Sequence, residues 1–286
     1  MYVITGITGQ VGGALANALL HEGKRVRAVV RDAKKGAAWA ARGCEVTLAD
    51  MTDAHALASA FEGAQGVFIL PPPEFDPAPD FPEARAVIDA VVSAIARAKP
   101  RRIVCLSTIG AQATRTNLLT QRTLLEEALR EQAIPVTFLR PGWFMENCVW
   151  DVDSARDEGI VRSFLQPLDR AIPMIATDDI GRLAAKLLQE EWTGARIVEL
   201  EGPQRTSPED IAAAFAEVLG KPVRAEAVAR ESWRALFEAQ GMKHPMPRIQ
   251  MLDGFNGGWI DFEGHRETIV KGTTPLVDVI RRLVAR

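Results

Sequence analysis

Tyrosine, cysteine and histidine are scarce in this chain of 286 residues. The cysteines Cys44, Cys105 and Cys148 are odd in number and widely separated, so the sequence indicates neither a disulfide framework nor a zinc knuckle. The histidines show no metal-ligand spacing, and we expect no metal site. The single tyrosine, Tyr2, lies at the start of the first predicted strand region, directly before residues 3–5, and so far from the ends of the later strands, where a catalytic acid would be needed.

Long apolar runs and blocks of like charge are also absent. No uninterrupted apolar run approaches the roughly 18 residues needed to cross a bilayer, and no basic leader precedes the first strand. We therefore expect a cytoplasmic protein that is not bound to a membrane. The net charge of -3 and the lack of a lysine/arginine cluster give no support for a nucleic-acid partner.

Short apolar runs of β-type residues alternate with helical stretches through the first half of the chain. The predicted strands are 3–5, 26–30, 45–48, 66–70, 102–106 and 136–139. The predicted helices begin near Gly12, Asp32, Asp53, Phe81 and Leu118. This alternation predicts an α/β fold, a Rossmann-type doubly wound parallel sheet with helices on both faces. A smaller, loop-rich C-terminal α/β lobe is expected beside it.

Three glycines spaced three residues apart lie between the first strand and the first helix. Gly6, Gly9 and Gly12 suit a tight turn that leads into a helix N-terminus, which binds anions such as a dinucleotide pyrophosphate. A purely structural turn is the alternative, but the position inside a βαβ unit favours dinucleotide binding. The residues assigned to the phosphates are Gly6, Thr8, Gly9, Gln10, Val11 and Gly12.

This assignment divides the chain into two parts. We assign residues 1–145 to an NAD(P)-binding Rossmann domain, and residues 146–286 to a smaller lobe that contacts a substrate or a partner. Residues 172–200 contain a capped amphipathic helix and a further strand, and we expect them to return to the first domain.

Basic residues follow the second strand, where the ribose of the cofactor would lie. Arg31 comes about 20 residues after the glycines, at the place where an arginine accommodates a 2′-phosphate, so NADP(H) is favoured over NAD. Lys35 would assist Arg31; the alternative is that both are solvated charges beside the helix cap Asp32. Asp50, followed by Met51, would accept a hydrogen bond from the adenine amino group or cap the next helix.

The remaining strand ends complete the predicted crevice. Leu70, Pro71 and Pro72 would form a wall without N–H donors beside the nicotinamide ribose. Ser107 and Thr108 would hydrogen-bond a substrate carbonyl, although a strand-end serine can equally satisfy the backbone. Pro141 and Gly142, after the sixth strand, are assigned to the cofactor crevice as well.

An aromatic group follows the sixth strand. Trp143, Phe144, Asn147 and Trp150 are expected to form an apolar pocket with one polar group, suited to flat aromatic ligands such as quinones. Aromatic residues that only seal two lobes together are the alternative.

The predicted helix beginning near Leu118 contains two charged residues on one face. Arg122 and Glu126 are four residues apart, and we expect them to form a helical ion pair.

These segments together resemble the NmrA-like branch of the atypical short-chain dehydrogenase/reductase superfamily. The resemblance covers nearly the whole chain and rests on segments 6–12 (GITGQVG), 31–32 (RD), 107–108 (ST), 137–147 (TFLRPGWFMEN) and 178–184 (DDIGRLA). It implies NADP binding, and a role as a reductase of quinones or other small molecules or as a non-catalytic redox-sensing regulator. A monomer and a homodimer both fit the resemblance.

One departure from the superfamily narrows the chemistry. Its Tyr-x-x-x-Lys pair has no counterpart, because the matching helix has Leu118 and Arg122. We therefore expect an NADPH-dependent reductase of quinones or similar small carbonyl compounds that transfers hydride directly, without a Tyr/Lys pair. The alternative is an NADP-binding redox sensor that acts through a protein partner.

The cofactor preference can be tested at Arg31. If this residue binds a 2′-phosphate, Arg31→Ala should weaken NADPH binding by about tenfold or more, the value of a lost charge-assisted hydrogen bond, and leave NADH binding unchanged. Fluorescence titration with both nucleotides measures this. Equal losses for NADPH and NADH would contradict the assignment.

Overall fold

The computed structural model describes residues 1–285. The strands are β1 (Tyr2–Ile4), β2 (Val26–Val30), β3 (Glu45–Leu48), β4 (Gly66–Ile69), β5 (Ile103–Leu106), β6 (Val136–Pro141), β7 (Trp143–Phe144), β8 (Ile160–Ser163), β9 (Met174–Ile175), β10 (Ala195–Glu201), β11 (Arg224–Ala227) and β12 (Val270–Lys271). The helices are α1 (Gln10–His21), α2 (Ala33–Ala40), α3 (Ala54–Phe61), α4 (Pro82–Ala98), α5 (Thr120–Arg130), α6 (Val152–Asp157), α7 (Thr177–Gln189), α8 (Pro208–Leu219), α9 (Trp233–Ala239), α10 (Met246–Gly257) and α11 (Leu276–Val284).

The predicted Rossmann-type sheet is confirmed. Its strand order is β12-β10-β6-β5-β4-β1-β2-β3, and neighbouring strands pair in parallel. The strand order reverses beside β1, so the carboxyl ends of β1, β2 and β4 surround one crevice at this edge of the sheet. The carboxyl ends of β3, β5 and β6 lie on the same side of the sheet, because all of these strands run in parallel.

Apolar side chains cover both faces of the sheet. One face is packed by α1 and α7, where Leu15 and Ile180 have no exposed surface. The other face is packed by α3, α4 and α5, where Val91 and Leu129 are equally buried. Burial on both faces explains why these strands are almost continuously apolar.

Side-chain caps define where several helices begin, as the sequence predicts. Asp32 accepts a hydrogen bond from the Lys34 N–H at the start of α2, and Asp53 accepts two at the start of α3. The first predicted helix, placed near Gly12, begins slightly earlier, at Gln10. The helix predicted near Leu118 begins at Thr120, because the preceding turn is closed by a hydrogen bond from the Asn117 N–H to the Thr120 hydroxyl.

The C-terminal part of the chain adds a second apolar core. Phe215, Trp233 and Phe237 are fully buried there. Burying each such side chain contributes about 1.5 to 3 kcal/mol. Two short parallel pairs, β11 with β8 and β7 with β9, lie in this region, while β10 and β12 continue the main sheet. The chain thus crosses repeatedly between the two cores.

No helix within residues 1–285 is long and apolar enough to cross a membrane. The same residues contain no cluster of three or more His, Cys, Asp or Glu side chains arranged to hold a metal ion.

The contact between α1 and α7 depends on Gly181, and this dependence can be tested. A Cβ atom at Gly181 would lie 2.5 Å from Ala14 Cβ and 2.6 Å from the Leu15 backbone nitrogen. Gly181→Ala should therefore lower the free energy of unfolding by roughly 1 to 3 kcal/mol, despite the better helix propensity of alanine. Urea unfolding followed by circular dichroism measures this.

Gly13→Ala is the matched control for Gly181→Ala. A Cβ atom at Gly13, also within a helix, would meet its nearest neighbour at 3.5 Å, which is ordinary contact. This variant should be neutral or slightly stabilising. A loss as large as that of Gly181→Ala would show that the helix contact is not the cause.

Candidate functional site

The loop between β1 and α1 is shaped by close packing of its own backbone. A Cβ atom at Gly12 would lie 2.3 Å from the Gly6 carbonyl oxygen, so only glycine permits this turn. The Gly9 N–H donates to the same carbonyl at 3.0 Å. Thr8, Gly9 and Gln10 are exposed. The turn therefore presents the start of α1 to solvent.

Unpaired N–H groups mark the start of α1. Within residues 1–285, the backbone N–H groups of Gln10, Val11 and Gly12 have no hydrogen-bond acceptor. The first turn of a helix leaves such donors free, and the helix dipole adds partial positive charge there. This arrangement suits a phosphate or pyrophosphate group.

Two cations lie beside this loop, at the end of β2 and the start of α2. Arg31 and Lys35 are exposed, and neither has an acidic side chain within 4.0 Å among the residues described. Asp32, between them in sequence, is occupied as the N-cap of α2. The two cations are thus free to meet an additional phosphate.

At the end of β3, Asp50 stabilises a turn but does not cap a helix. Its Oδ1 accepts hydrogen bonds from the Thr52 N–H and hydroxyl at 2.9 and 2.7 Å, and these bonds lower the pKa of Asp50. The helix cap is Asp53, so the capping alternative for Asp50 is wrong. The other carboxylate oxygen, Asp50 Oδ2, accepts no hydrogen bond from residues 1–285. The neighbouring Met51 is buried in the apolar core, which leaves little of it to contact a ligand.

The segment after β4 is held against β1. The Leu70 N–H donates to the Thr5 hydroxyl at 2.8 Å. Pro71 is buried and Pro72 is exposed. The Pro71 carbonyl accepts a hydrogen bond from Arg122 Nη2 at 3.4 Å. These contacts fix one wall of the crevice.

A buried charge pair joins α5 to β6. Glu126 Oε1 accepts from Arg140 Nε at 2.8 Å, and Oε2 accepts from Arg140 Nη2 at 2.7 Å. The two side chains are 4% and 3% exposed, respectively. Burial alone lowers the pKa of the Arg140 guanidinium, but the bonds and charge of Glu126 outweigh burial and raise that pKa.

The predicted ion pair between Arg122 and Glu126 is therefore wrong. Glu126 is engaged by Arg140 and, at 3.3 Å, by Arg130. Arg122 instead reaches the end of β4. Arg122 and Glu126 have helical spacing, but Arg140 from β6 reaches the same carboxylate and donates two hydrogen bonds to it.

The same carboxylate sets the direction of a hydrogen bond at Ser107. Ser107 Oγ donates to Glu126 Oε1 at 2.5 Å. The serine hydroxyl has one proton, so its oxygen can only accept further hydrogen bonds. The Thr108 hydroxyl has no partner within residues 1–285 and is the free donor at this strand end. Of the two hydroxyls expected to orient a carbonyl, only Thr108 is available to donate.

A C-terminal segment closes over this charge pair. Arg140 Nη1 lies 3.2 Å from a Glu263 carboxylate oxygen, and Gln112 Nε2 donates to the Asp261 carbonyl at 2.8 Å. Glu199, at the end of β10, accepts from the N–H groups of Glu263 and Gly264 at 2.9 and 3.0 Å. The strand ends of β6 and β10 thus fasten residues 261–264.

Sequence reasoning missed this set of residues. One feature could have found Arg140: a charged residue continues an apolar strand, and such a residue is buried only when it is paired. No local pattern connects Glu263 or Gln112 to that strand.

The aromatic residues do not form one enclosed pocket. Trp143 packs edge-to-face on Phe255 of α10, with ring centroids 5.2 Å apart, which is the lobe-sealing alternative. Phe144 is partly buried against the core formed with α1 and α7. Asn147 is exposed, and Trp150 is 86% exposed, so the expectation that Trp150 lines a pocket is wrong. The 3-10 helix Met145–Asp151 turns Trp150 away from the buried residues.

The backbone at the end of β6 and directly after it is buried and paired within the protein. Pro141 and Gly142 are buried. The Gly142 N–H donates to the Leu200 carbonyl at 2.9 Å. The assignment of these two residues to the cofactor crevice therefore rests on their backbone shape and not on a free N–H donor.

A buried acid, Glu146, lies between the loop that precedes α1 and the start of α7. Glu146 accepts from the Thr177 N–H at 3.0 Å and from the Thr177 hydroxyl at 2.7 Å, and burial raises the pKa of Glu146. The Thr177 hydroxyl also lies 3.2 Å from Gln10 Oε1. The start of α7 is thereby anchored beside the start of α1.

A groove of about 540 Å³ lies elsewhere, between the segment after β4, α5 and the segment before α10. Thr116, Thr120 and Leu124 line it at helical spacing. Thr120 and Leu124 lie on the side of α5 away from Glu126, and Thr116 precedes this helix. The groove is therefore separate from the hydroxyl groups at the end of β5.

Comparison with known proteins gives one family and several relatives. A model of the NmrA-like family matches residues 2–256. An NAD(P)H azoreductase of Xenophilus azovorans is 29% identical over 245 residues, which cover 85% of this chain and 82% of the relative. Quinone oxidoreductase 2 of Escherichia coli is 27% identical over 244 residues, covering 85% and 82% of the two chains.

Solved structures support the fold. An NADPH-dependent quinone oxidoreductase of Escherichia coli, complexed with NADPH, superposes with a TM-score of 0.82 at 22% identity, covering 99% of both chains. A triphenylmethane reductase of Citrobacter sp., complexed with NADP(H), gives the same TM-score of 0.82 at 22% identity, covering 99% of this chain and 100% of the other. The likeness extends beyond the main sheet to nearly the whole chain.

The Glu126–Arg140 pair makes a prediction about stability. Arg140→Met should lower the free energy of unfolding by roughly 3 to 5 kcal/mol, because it leaves the Glu126 carboxylate buried without its main partner. Glu126→Gln combined with Arg140→Met should cost less than Arg140→Met alone. Urea unfolding of the single and double variants measures the coupling.

Arg130→Met is the matched control, since Arg130 contacts the same carboxylate but is 39% exposed. Its loss should stay within about 1 kcal/mol. Additive losses for Glu126→Gln and Arg140→Met would contradict the buried-pair interpretation.

Proposed function

The chain belongs to the NmrA-like family, and from this premise we propose that it is an NADPH-dependent reductase of quinones or similar small carbonyl compounds. The relatives named as an azoreductase and a quinone oxidoreductase support a reductase. The observation that carries the proposal is a site with free donors for a phosphorylated dinucleotide and, among residues 1–285, no Tyr/Lys pair at the strand ends to act as a general acid.

The phosphate-binding residues fit NADPH. The free N–H groups of Gln10, Val11 and Gly12 would hold the pyrophosphate. Arg31 and Lys35, both exposed and unpaired by acids among the residues described, would bind the 2′-phosphate. Asp50 Oδ2 would accept a hydrogen bond from the adenine amino group. The crevice continues past Leu70, Pro71 and Pro72 toward the hydroxyl groups after β5.

When bound, NADPH supplies the hydride. Thr108 would orient the substrate by donating its hydroxyl proton to a carbonyl oxygen. Ser107 would accept a hydrogen bond from an N–H or O–H group of a ligand, because its own proton is held by Glu126. Trp143, Phe144 and Asn147 would border the substrate, while Trp150 would not contact it.

The protons that complete the reduction would come from water. The Glu126 carboxylate already accepts hydrogen bonds from Arg140, Arg130 and Ser107, so it is not assigned as a proton source for Ser107. Quinones suit such a site because they accept hydride readily, and the protein then contributes by positioning its two ligands.

A second candidate function is an NADP-binding redox sensor that acts through a protein partner. Trp150 and its neighbour Val149 favour it, since they are 86% and 42% exposed on one short 3-10 helix. Exposed aromatic groups are frequent at protein interfaces. The lack of a Tyr/Lys pair agrees with this function as well.

Turnover separates the two functions. We expect the purified protein to oxidise NADPH when quinones or azo compounds from a small panel are present. The loss of absorbance at the NADPH nicotinamide band measures this oxidation. NADPH binding in a parallel titration without turnover on any acceptor would contradict the reductase and favour the sensor. No binding would contradict both.

The role of Thr108 gives a sharper test within the reductase. Thr108→Val should lower kcat by about ten- to a hundredfold with little change in NADPH affinity, because it removes the hydroxyl donor while keeping the shape. Thr108→Ser should restore most of kcat. Thr47→Val, on the edge strand β3, is the control and should leave kcat unchanged. Full activity of Thr108→Val would contradict the assignment.

A further inference from the structure

The groove of about 540 Å³ beside α5 has no part in the proposed reduction. Its volume falls within the range of roughly 300 to 1,000 Å³ that is typical of small-molecule sites. Apolar side chains form much of its lining, among them Leu124 of α5 and Met246 at the start of α10. The groove is therefore large enough, and apolar enough, to hold one small organic molecule.

Hydrogen bonds fix the two sides of the groove relative to each other. Asp76, in the segment after β4, accepts from the N–H groups of Lys243 and His244 at 2.7 and 2.6 Å. The Leu118 N–H, just before α5, donates to the Pro247 carbonyl at 2.8 Å. Because the protein itself holds this shape, a ligand would lose little affinity to ordering of the site.

The rim of the groove carries backbone strain. Asp80 and Phe81, neither of them glycine, have φ angles of 64° and 56°. Such residues persist only where their surroundings hold them, and they are frequent at ligand-binding segments. Here Phe81 is buried, and Arg85 Nε donates to the Asp80 carbonyl at 2.9 Å. The terminal nitrogens of Arg85 donate to no group among residues 1–285, so they are open to a ligand at the groove.

Cations outnumber acids around the groove. Arg85, Arg234 and Lys243 line it and are exposed, while Asp80 is the single carboxylate among its lining residues. Within residues 1–285, Arg85 and Lys243 have no carboxylate oxygen within 4.0 Å, and Arg234 has only a half-exposed glutamate at 3.6 Å. Asp76 is satisfied by backbone N–H groups and not by these cations. The groove consequently favours a negatively charged occupant.

We propose that this groove is a binding site for a small organic carboxylate with an apolar body. Arg85 and Lys243, which approach from different sides, bind the carboxylate, and the apolar body packs on Leu124 and Met246. Thr120 and Leu124 lie on the side of α5 away from Glu126, so this ligand is additional to the compound that is reduced. The inference goes beyond the proposed reductase and does not rest on it.

Equilibrium dialysis of the full chain with 2-naphthoate and 2-naphthamide tests the proposal. The two probes have the same shape and differ in charge, and saturating NADPH keeps them out of the proposed cofactor crevice. We expect 2-naphthoate to bind saturably with a dissociation constant of about 0.1 to 1 mM, and 2-naphthamide to bind about tenfold more weakly. Acetate, which has the carboxylate without the apolar body, should displace 2-naphthoate poorly.

Substitutions locate the site. Arg85→Gln and Lys243→Gln should each weaken binding of 2-naphthoate by about three- to tenfold and leave binding of 2-naphthamide unchanged, because each removes one cation that contacts the carboxylate. Arg97→Gln is the matched control, since it removes an exposed cation of the same helix α4 that does not line the groove. Its affinity for 2-naphthoate should equal that of the unaltered protein.

Several results would overturn the proposal. Absence of saturable 2-naphthoate binding, or equal affinities for the two probes, would do so without any variant. Unchanged affinity for 2-naphthoate in the folded Arg85→Gln and Lys243→Gln proteins would place the probe elsewhere. Acetate that competes as well as 2-naphthoate would show a bare anion site. Failure of the proposed reductase is distinguishable, because it appears as absent turnover of NADPH with quinones and leaves the dialysis result intact.

Discussion

The paired charges of Glu126 and Arg140 hold together the part of the molecule where chemistry is proposed. Neither charge could be buried alone without a cost of several kcal/mol, so each holds the other in place. Through this pair, α5, the end of β6, the Ser107 hydroxyl and the Glu263 segment occupy fixed relative positions. The pair also decides which hydroxyl at the end of β5 has a proton to offer.

The two halves of the proposed crevice differ in the groups that they present to a ligand. The phosphate half consists of unpaired backbone N–H groups and exposed cations, which act on a ligand directly and depend little on other side chains. The other half consists of buried side chains whose charges are balanced internally, with Arg122 as the exception. Glu126 neutralises the charge of Arg140, whereas Arg122 has no carboxylate oxygen within 4.0 Å among residues 1–285.

Local features of the molecule could be predicted from the sequence, and features that depend on distant contacts could not. The parallel sheet, the caps Asp32 and Asp53 and the glycine turn each follow from residues near one another in the chain. The prediction of Arg122 as the partner of Glu126 is wrong because helical spacing indicates a neighbour on α5, while the actual partner, Arg140, comes from β6. Trp150 was misplaced because sequence proximity to Trp143 does not show which way a 3-10 helix turns its side chains.

The contacts of residues 261–264 imply an order in which parts of the molecule fold during synthesis. The strands β1 to β6 are contiguous in the sequence and adjacent in the sheet, so they can assemble while the remaining chain is still being synthesised. Glu263 and Asp261 are synthesised well after β6 and only then reach Arg140 and Gln112. A nascent chain would therefore form its glycine turn well before residues 261–264 can close over Arg140.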